Sequence, residues 1–194
     1  VVGHNGLNRC VKEFGLTEPA KILDKLTLLV EETFEKSEDQ VRDGMDIGLC
    51  KIDPSTKTVE FAGANNPMWI VSRAESIQTD NMVLDVSVSG ETNNLFEIKA
   101  DKYPIGRYED RQPYKNHKLT LAENDRIYLF TDGYADQFGG IKGKKFKYKP
   151  FKKLLLDTLN SSMKDQKKKV DQVFEEWKGE LEQIDDVCLF GVQV

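Results

Sequence analysis

The chain has 194 residues with 28 Lys and Arg against 33 Asp and Glu, a formal charge of −5. That mildly acidic balance gives no general case for nucleic-acid binding. The length fits one domain, residues 1–194, with a substantial core, and no apolar run reaches the roughly 18 residues of a membrane span.

Three cysteines, Cys10, Cys50 and Cys188, form no C-x-x-C pair, and His4 and His117 are the only imidazoles. A reducing, cytoplasmic compartment is expected, and no signal peptide is read. Any bound metal would rest mainly on carboxylates, whose hard oxygens favour magnesium, manganese or calcium.

VVGHNGLNRCVKEF, at the start, predicts a short helix. A stronger one follows, with Thr17 as cap, Pro19 in the first turn and Ile22, Leu23, Leu26, Leu29, Val30 and Phe34 at helical spacing. Lys21, Asp24, Lys25, Glu31 and Glu32 give it a wet face.

From residue 44 the period changes. GMDIGLCKI, TVEFAGA and MWIVSR predict three strands joined by turns at DPSTK and NNP, connections short enough to favour antiparallel neighbours. Asn65 and Asn66 are expected in a hairpin turn, where Asn tolerates left-handed backbone. Asp43 and Asp46 read as turn residues at the start of the first strand. MVLDVSV is a weaker strand. LFEIKA and HKLTLA follow, on either side of YPIGRYEDRQP, then RIYLFTD, and VCLFGVQV closes the chain.

In RIYLFTD, Ile127 and Leu129 oppose Tyr128 and Phe130; in the last strand Val187 and Leu189 oppose Cys188 and Phe190. Strands apolar on both sides need both faces covered. One cover comes from a helix with Phe151, Leu154, Leu155 and Leu159 and another with Val170, Val173, Phe174, Trp177 and Leu181. Cys50 and Cys188, inside such patterns, read as small buried hydrophobes; Trp69 and Trp177 read as core or half-buried. The expected class is α+β, two mainly antiparallel sheets face to face with helices outside, an α-β-β-α sandwich.

YLFTDGYADQ, residues 128–137, ends a buried strand on Asp132 and Gly133, and QIDDV sets Asp185 and Asp186 before the last strand. If those strands are antiparallel neighbours, Asp132 and Asp185 face each other. Carboxylates that close repel unless a proton or cation lies between them, and Gly133 would admit backbone and water to such an ion. Read singly, DG is a turn signal and DD a solvated edge; the residues alone leave both readings standing. Between Lys142 and Lys153, seven lysines interleave with Phe146, Tyr148 and Phe151. These are ingredients of a nucleic-acid patch and equally of a solvated helix entry; the second is favoured and no nucleic-acid partner is expected.

FAGANNP, ADKYPIG, TDGYADQ and IDDV before a final strand, in that order, resemble the metal-dependent protein serine/threonine phosphatases, in the bacterial branch related to stage II sporulation protein E. The resemblance runs from residue 1 to residue 194. It implies Asp132 and Asp185 as metal ligands with Gly133 beside them, and Asp186 as a hydrogen-bonding neighbour. Cys188 stands where many relatives have Thr. It implies two Mn2+ or Mg2+ ions and attack of metal-held water on a phosphoserine or phosphothreonine, with no phosphoenzyme. The lysine segment falls where the family has a variable flap, so Lys144, Lys145 and Lys147 become candidates for steering substrate; Asn66 lies in a loop implied to border the cleft.

The family also carries a bridging aspartate and an Asp-x-Thr-Gly-His-Gly turn upstream of the helix that VVGHNGLNRCVKEF resembles. The chain is therefore expected to be the C-terminal part of the domain, N-terminally incomplete, with weak or absent metal binding and little activity alone. An exposed sheet edge would then invite a homodimer. Implied partners are an upstream sensor region and a phosphorylated regulator such as an anti-sigma-factor antagonist. The alternative is a non-catalytic module that keeps the fold to bind a phosphoprotein or partner.

Overall fold

The structure is a computed structural model that describes residues 2–35 and 44–194; Asp43 lies outside the described residues. Its helices are α1 (Val2–Asn8), α2 (Pro19–Glu35), α3 (Gly133–Asp136), α4 (Tyr148–Asp157) and α5 (Met163–Lys178). The longer strands are β1 (Ile47–Asp53), β2 (Thr58–Ala64), β3 (Met68–Ser72), β4 (Val86–Ser89), β5 (Asn94–Ile98), β6 (His117–Thr120), β7 (Arg126–Phe130) and β8 (Leu189–Gln193). They fall into two compact units interleaved in sequence. The first takes Val1–Met68, Gln78–Met82 and Ile98–Leu121, the second Trp69–Ile77, Val83–Glu97 and Ala122–Val194.

In the first unit α1 runs into a π-turn at Arg9–Glu13. The N–H of Ile22 donates to the Glu18 carbonyl at 3.0 Å, which puts Glu18, not Thr17, at the cap of α2. Pro19 then opens the helix, where its missing N–H leaves nothing unpaired. The sheet has the order β1-β2-β6, antiparallel throughout, with Cys50 opposite Phe61 and Phe61 opposite His117. Leu23, Leu26, Leu29 and Val30 of α2 share a core with Ala62 and Ala64 of β2 and with Cys10, Ile105 and Tyr114. Asp53 closes the β1–β2 turn by accepting from the backbone of Ser55 and Thr56 at 2.9 and 3.3 Å. Asn65 adopts the left-handed backbone expected of it, φ 58°. Its turn is not a hairpin, however: β2 pairs with β1 and β6, while β3 belongs to the other sheet. Short connection length suggested neighbours, but the proline after Asn66 breaks the pairing direction and sends the chain elsewhere.

In the second unit five strands lie in the order β8-β7-β3-β5-β4. β8 is antiparallel to β7, and β4 to β5 with an irregularity between Val86 and Val88. Phe151 and Leu155 of α4 and Val170 and Phe174 of α5 pack with Trp69, Val71, Leu95, Tyr128 and Phe130 of the sheet. Tyr134 stacks on Phe151 with ring centroids 4.2 Å apart. All five residues of β3 are buried, as its unbroken apolar run requires.

The last strand departs from the expectation of two covered faces. β8 lies at the end of the sheet order, with Phe190 60 % exposed and Cys188 exposed. Side chains alternate between faces along the strand: Leu189, opposite Phe130, packs on the helix-covered face, while Phe190, opposite Leu129, points to the other face and meets water. Leu181, placed by periodicity on the last helix, falls beyond its end. Gly179 caps α5 with φ 56°, and Leu181 is exposed.

Candidate functional site

The site grows out of the pairing of β7 with β8. Beyond the last strand pair, Leu189 opposite Phe130, the ladder continues by one more rung: Thr131 N–H donates to the Cys188 carbonyl at 3.0 Å. The Thr131 hydroxyl then takes over from the backbone. It donates to the Asp186 carbonyl at 2.7 Å and accepts from the Cys188 N–H at 2.9 Å. The strand tip that carries Asp132 is thereby held against the segment that carries Asp185 and Asp186.

Gly133 makes the approach possible. A Cβ there would lie 2.5 Å from the Asp186 carbonyl oxygen and 3.2 Å from Val187 Cγ2. The space left by the missing side chain is filled by the Asp186 backbone. Asp132 sits at the N-terminal end of α3, its carbonyl accepting from Asp136 N–H at 2.9 Å, and makes no side-chain cap. On the other side, Asp185 Oδ1 accepts from the Asp186 N–H at 2.7 Å, and its carbonyl accepts from Gln183 Nε2 at 2.8 Å.

The segment after α3 folds back on it. Phe138 and Gly139 pair with Lys145 and Lys144, Phe146 N–H donates to the Gln137 carbonyl, and Lys147 N–H to the Ala135 carbonyl. Lys145 is engaged with Asp136 at 2.7 Å; Lys144 and Lys147 are exposed. Lys147 has φ 75° and ψ 157°, a backbone that glycine adopts freely and lysine does not. Tyr148 next to it packs edge-on against Trp69, 6.1 Å between centroids, and at 6.3 Å from Phe130. Burial, then the charges of Asp132, Asp136 and Glu97, push its phenol above the ordinary range.

Asn66 belongs to the first unit, where its N–H donates to the Ala64 carbonyl at 2.7 Å. Asp46, just before β1, accepts from Asn65 Nδ2 at 2.8 Å.

Carboxylate oxygens are the right donors for a hard divalent ion. Their number is short: among the described residues no group of three or more His, Cys, Asp and Glu is arranged to hold a metal. Asp132 and Asp185 lie on adjoining segments and offer two carboxylates, fewer than the full coordination shell of a divalent ion needs. Periodicity and charge single out Asp132, Gly133, Asp185 and Asp186. They do not single out Thr131 or Gln137, whose polar side chains at either end of an otherwise apolar or acidic heptapeptide were the available signal.

The fold is that of the PP2C phosphatase domains. The SiaA-PP2C domain of Pseudomonas aeruginosa superposes with a TM-score of 0.79 at 22 % identity, over all of this chain and 68 % of that one. The PP2C phosphatase domain of SpoIIE from Bacillus subtilis, with a fragment of its regulatory domain, gives 0.61 at 13 %, over 98 % of this chain and 49 % of that one. RsbX in complex with magnesium gives 0.55 at 11 %, over 97 % and 71 %. Within this class the chain belongs to the stage II sporulation protein E (SpoIIE) family, whose model matches residues 7–194. A search of the curated proteins gives no match. No helix among the described residues is long and apolar enough to cross a membrane.

Proposed function

We propose that the chain is the catalytic region of a cytoplasmic signalling phosphatase that hydrolyses phosphoserine or phosphothreonine on a regulatory protein, such as an anti-sigma-factor antagonist. The observation that carries this is the meeting of the Asp132 strand tip with the Asp185–Asp186 segment through the Thr131 hydroxyl. Asp132 and Asp185 are the residues that would hold Mn2+ or Mg2+, and Asp186 lends its backbone to the joint. Bound ions would supply a water of lowered pKa and neutralise phosphoryl charge. The chain's own part is to keep two carboxylates at one corner and to present Lys144, Lys147 and Tyr148 beside it. Lysines there attract a phosphoprotein dianion before it reaches the corner.

Two carboxylates leave most of an ion's waters in place, so the 194 residues alone bind metal weakly and turn over slowly. In a manganese titration, Asp132→Asn and Asp185→Asn should each remove what binding the chain has. Metal binding unchanged in both variants overturns the reading, as does phosphopeptide hydrolysis equal in the wild type and Asp132→Asn. A second reading, a phosphoprotein- or partner-binding module of the same fold, rests on the shortage of donors among the described residues. It predicts phosphopeptide binding that is indifferent to manganese.

A further inference from the structure

The segment that bears Asp185 is held by very little packing. Residues 179–186 are all exposed, with Leu181 and Ile184 at 47 % and 57 %. They form no helix or strand, and two of their polar links, Gln183 to Asp185 and Asp185 to Asp186, stay within the segment. Burial therefore cannot fix where Asp185 stands. Besides the Leu181 N–H bond to the Lys178 carbonyl at 3.1 Å and the backbone contact of Asp186 with Gly133, one side-chain anchor is Thr131, on the far side of Asp185. Another is Gln137, the last residue of TDGYADQ.

Gln137 is fully buried, 0 % exposed. Its Nε2 donates to the Glu182 carbonyl at 3.0 Å and to the Phe138 carbonyl at 2.9 Å. The backbone carbonyl of Gln137 accepts from Trp177 Nε1 at 3.0 Å and from the Phe146 N–H at 3.0 Å, while the buried side-chain Oε1 has no hydrogen-bond partner. The orientation of the amide is decided by its surroundings, because a flipped carboxamide would set Oε1 against two carbonyl oxygens. Glu182 and Asp186 are thus tied to the two ends of one heptapeptide, with Asp185 between the ties and Asp132 between the anchors.

We propose that Gln137 is a positioning residue for the Asp132–Asp185 corner: its buried amide fixes the 181–187 segment by the Glu182 carbonyl and so sets Asp185 against the strand tip. This rests on the reading of those two carboxylates as one site. The anchoring acts through the backbone of Glu182, so the identity of that side chain is immaterial. Gln137 touches neither an ion nor a substrate.

The test uses Gln137→Met, which keeps length and volume but cannot donate, and Gln137→Leu, which is shorter and cannot donate either. Hydrogen–deuterium exchange is read over residues 181–187 together with thermal unfolding and manganese titration of the 194-residue chain. The expected result is cooperative unfolding, exchange faster by several-fold at 181–187 with residues 126–130 unchanged, and manganese affinity lower by about tenfold. Faster exchange in a chain whose wild type takes up no manganese upholds the anchor and overturns the metal reading instead. Exchange at 181–187 equal to wild type in a folded variant overturns the proposal. Should both variants unfold, the wild type decides by NMR. The Gln137 carboxamide protons are expected to be protected from solvent; exchange as fast as that of the exposed Gln183 carboxamide overturns the anchor.

Discussion

Gly133 and Asp186 are in backbone contact so close that a single added methyl would overlap it: a Cβ at Gly133 would lie 2.5 Å from the Asp186 carbonyl oxygen and 3.0 Å from its carbon. Gly133 is buried and in the first turn of α3, while Asp186 lies on an exposed segment. When the two are forced apart, the exposed side moves. Gly133→Ala should therefore cost only about 1 kcal/mol of stability yet displace Asp185 and Asp186 from Asp132. Manganese affinity is expected to fall more than the unfolding midpoint suggests. Wild-type affinity in a folded Gly133→Ala chain would show that the carboxylate pair does not depend on this contact.

A second prediction concerns the scaffold behind the corner. Gln166, 2 % exposed, accepts from the Tyr128 hydroxyl at 2.8 Å and from Arg126 Nη1 at 3.3 Å. It donates to Thr158 Oγ1 at 2.9 Å and the Leu155 carbonyl at 3.1 Å. One side chain thus joins β7, α4 and α5 and offsets the burial of the Arg126 charge. Gln166→Leu strands the Tyr128 and Arg126 Nη1 donors and takes one donor from Thr158 Oγ1 and from the Leu155 carbonyl, which keeps a bond from Thr158 Oγ1 at 3.3 Å; the loss is about 3 kcal/mol. Gln166→Glu retains the acceptors and adds charge opposite Arg126, so its loss should be smaller. Urea unfolding orders the two; equal midpoints would contradict the network.

What the sequence reveals here follows from what local periodicity can encode. The doubly apolar run Ile127–Phe130 and the capped apolar stripe of α2 state their burial directly, and Asn65 announces its own left-handed turn. Sheet order and helix cover have no such local trace. Phe190 and Phe130 sit in similar apolar runs, yet only Phe130 is buried: it shares the helix-covered face with its partner Leu189, whereas Phe190, opposite Leu129, points to the other face. That the Asp132 and Asp185–Asp186 segments adjoin follows in the sequence from two acidic motifs at the ends of apolar strands. The joints between them do not, since Thr131 and Gln137 bond to backbone atoms of Asp186 and Glu182, and any residue supplies a carbonyl. Lys147 is illegible for the opposite reason: nothing in a lysine signals positive φ.

His117 gives a pH dependence in the first unit. It is 7 % exposed on β6, and Nδ1 is buried with no hydrogen-bond partner. Burial pulls its pKa below the ordinary 6.5, against Asp80 and Asp101, which raise it, and with Lys115, which lowers it further. A lowered folded pKa means the unfolded chain takes up the proton first. Stability from the neutral imidazole is complete above pH 6.5 and drains away as the pH falls toward the folded value. The urea midpoint should drop between pH 7 and pH 5, by less in His117→Gln than in wild type. Carboxylates titrate in both proteins alike, so a difference of zero assigns His117 no part.

Lys147 ends the set with a prediction whose two readouts move in opposite directions. Its φ of 75° and ψ of 157° lie in a region essentially reserved for glycine. The surroundings impose this: its N–H is held by the Ala135 carbonyl at 2.7 Å, Phe146 beside it by the Gln137 carbonyl, and Tyr148 starts α4 at once. Removing the Cβ releases the strain, and Lys147→Gly should raise stability by about 1 kcal/mol. Lys147→Ala keeps the Cβ and should gain nothing. Both lose the ammonium, so both should weaken binding of a phosphoserine peptide and flatten its salt dependence, whereas Lys147→Arg retains both. A Gly variant that is more stable and binds as well as wild type would leave the strained lysine without a role at the corner. One that is no more stable would place the strain in the unfolded-state balance instead of the backbone.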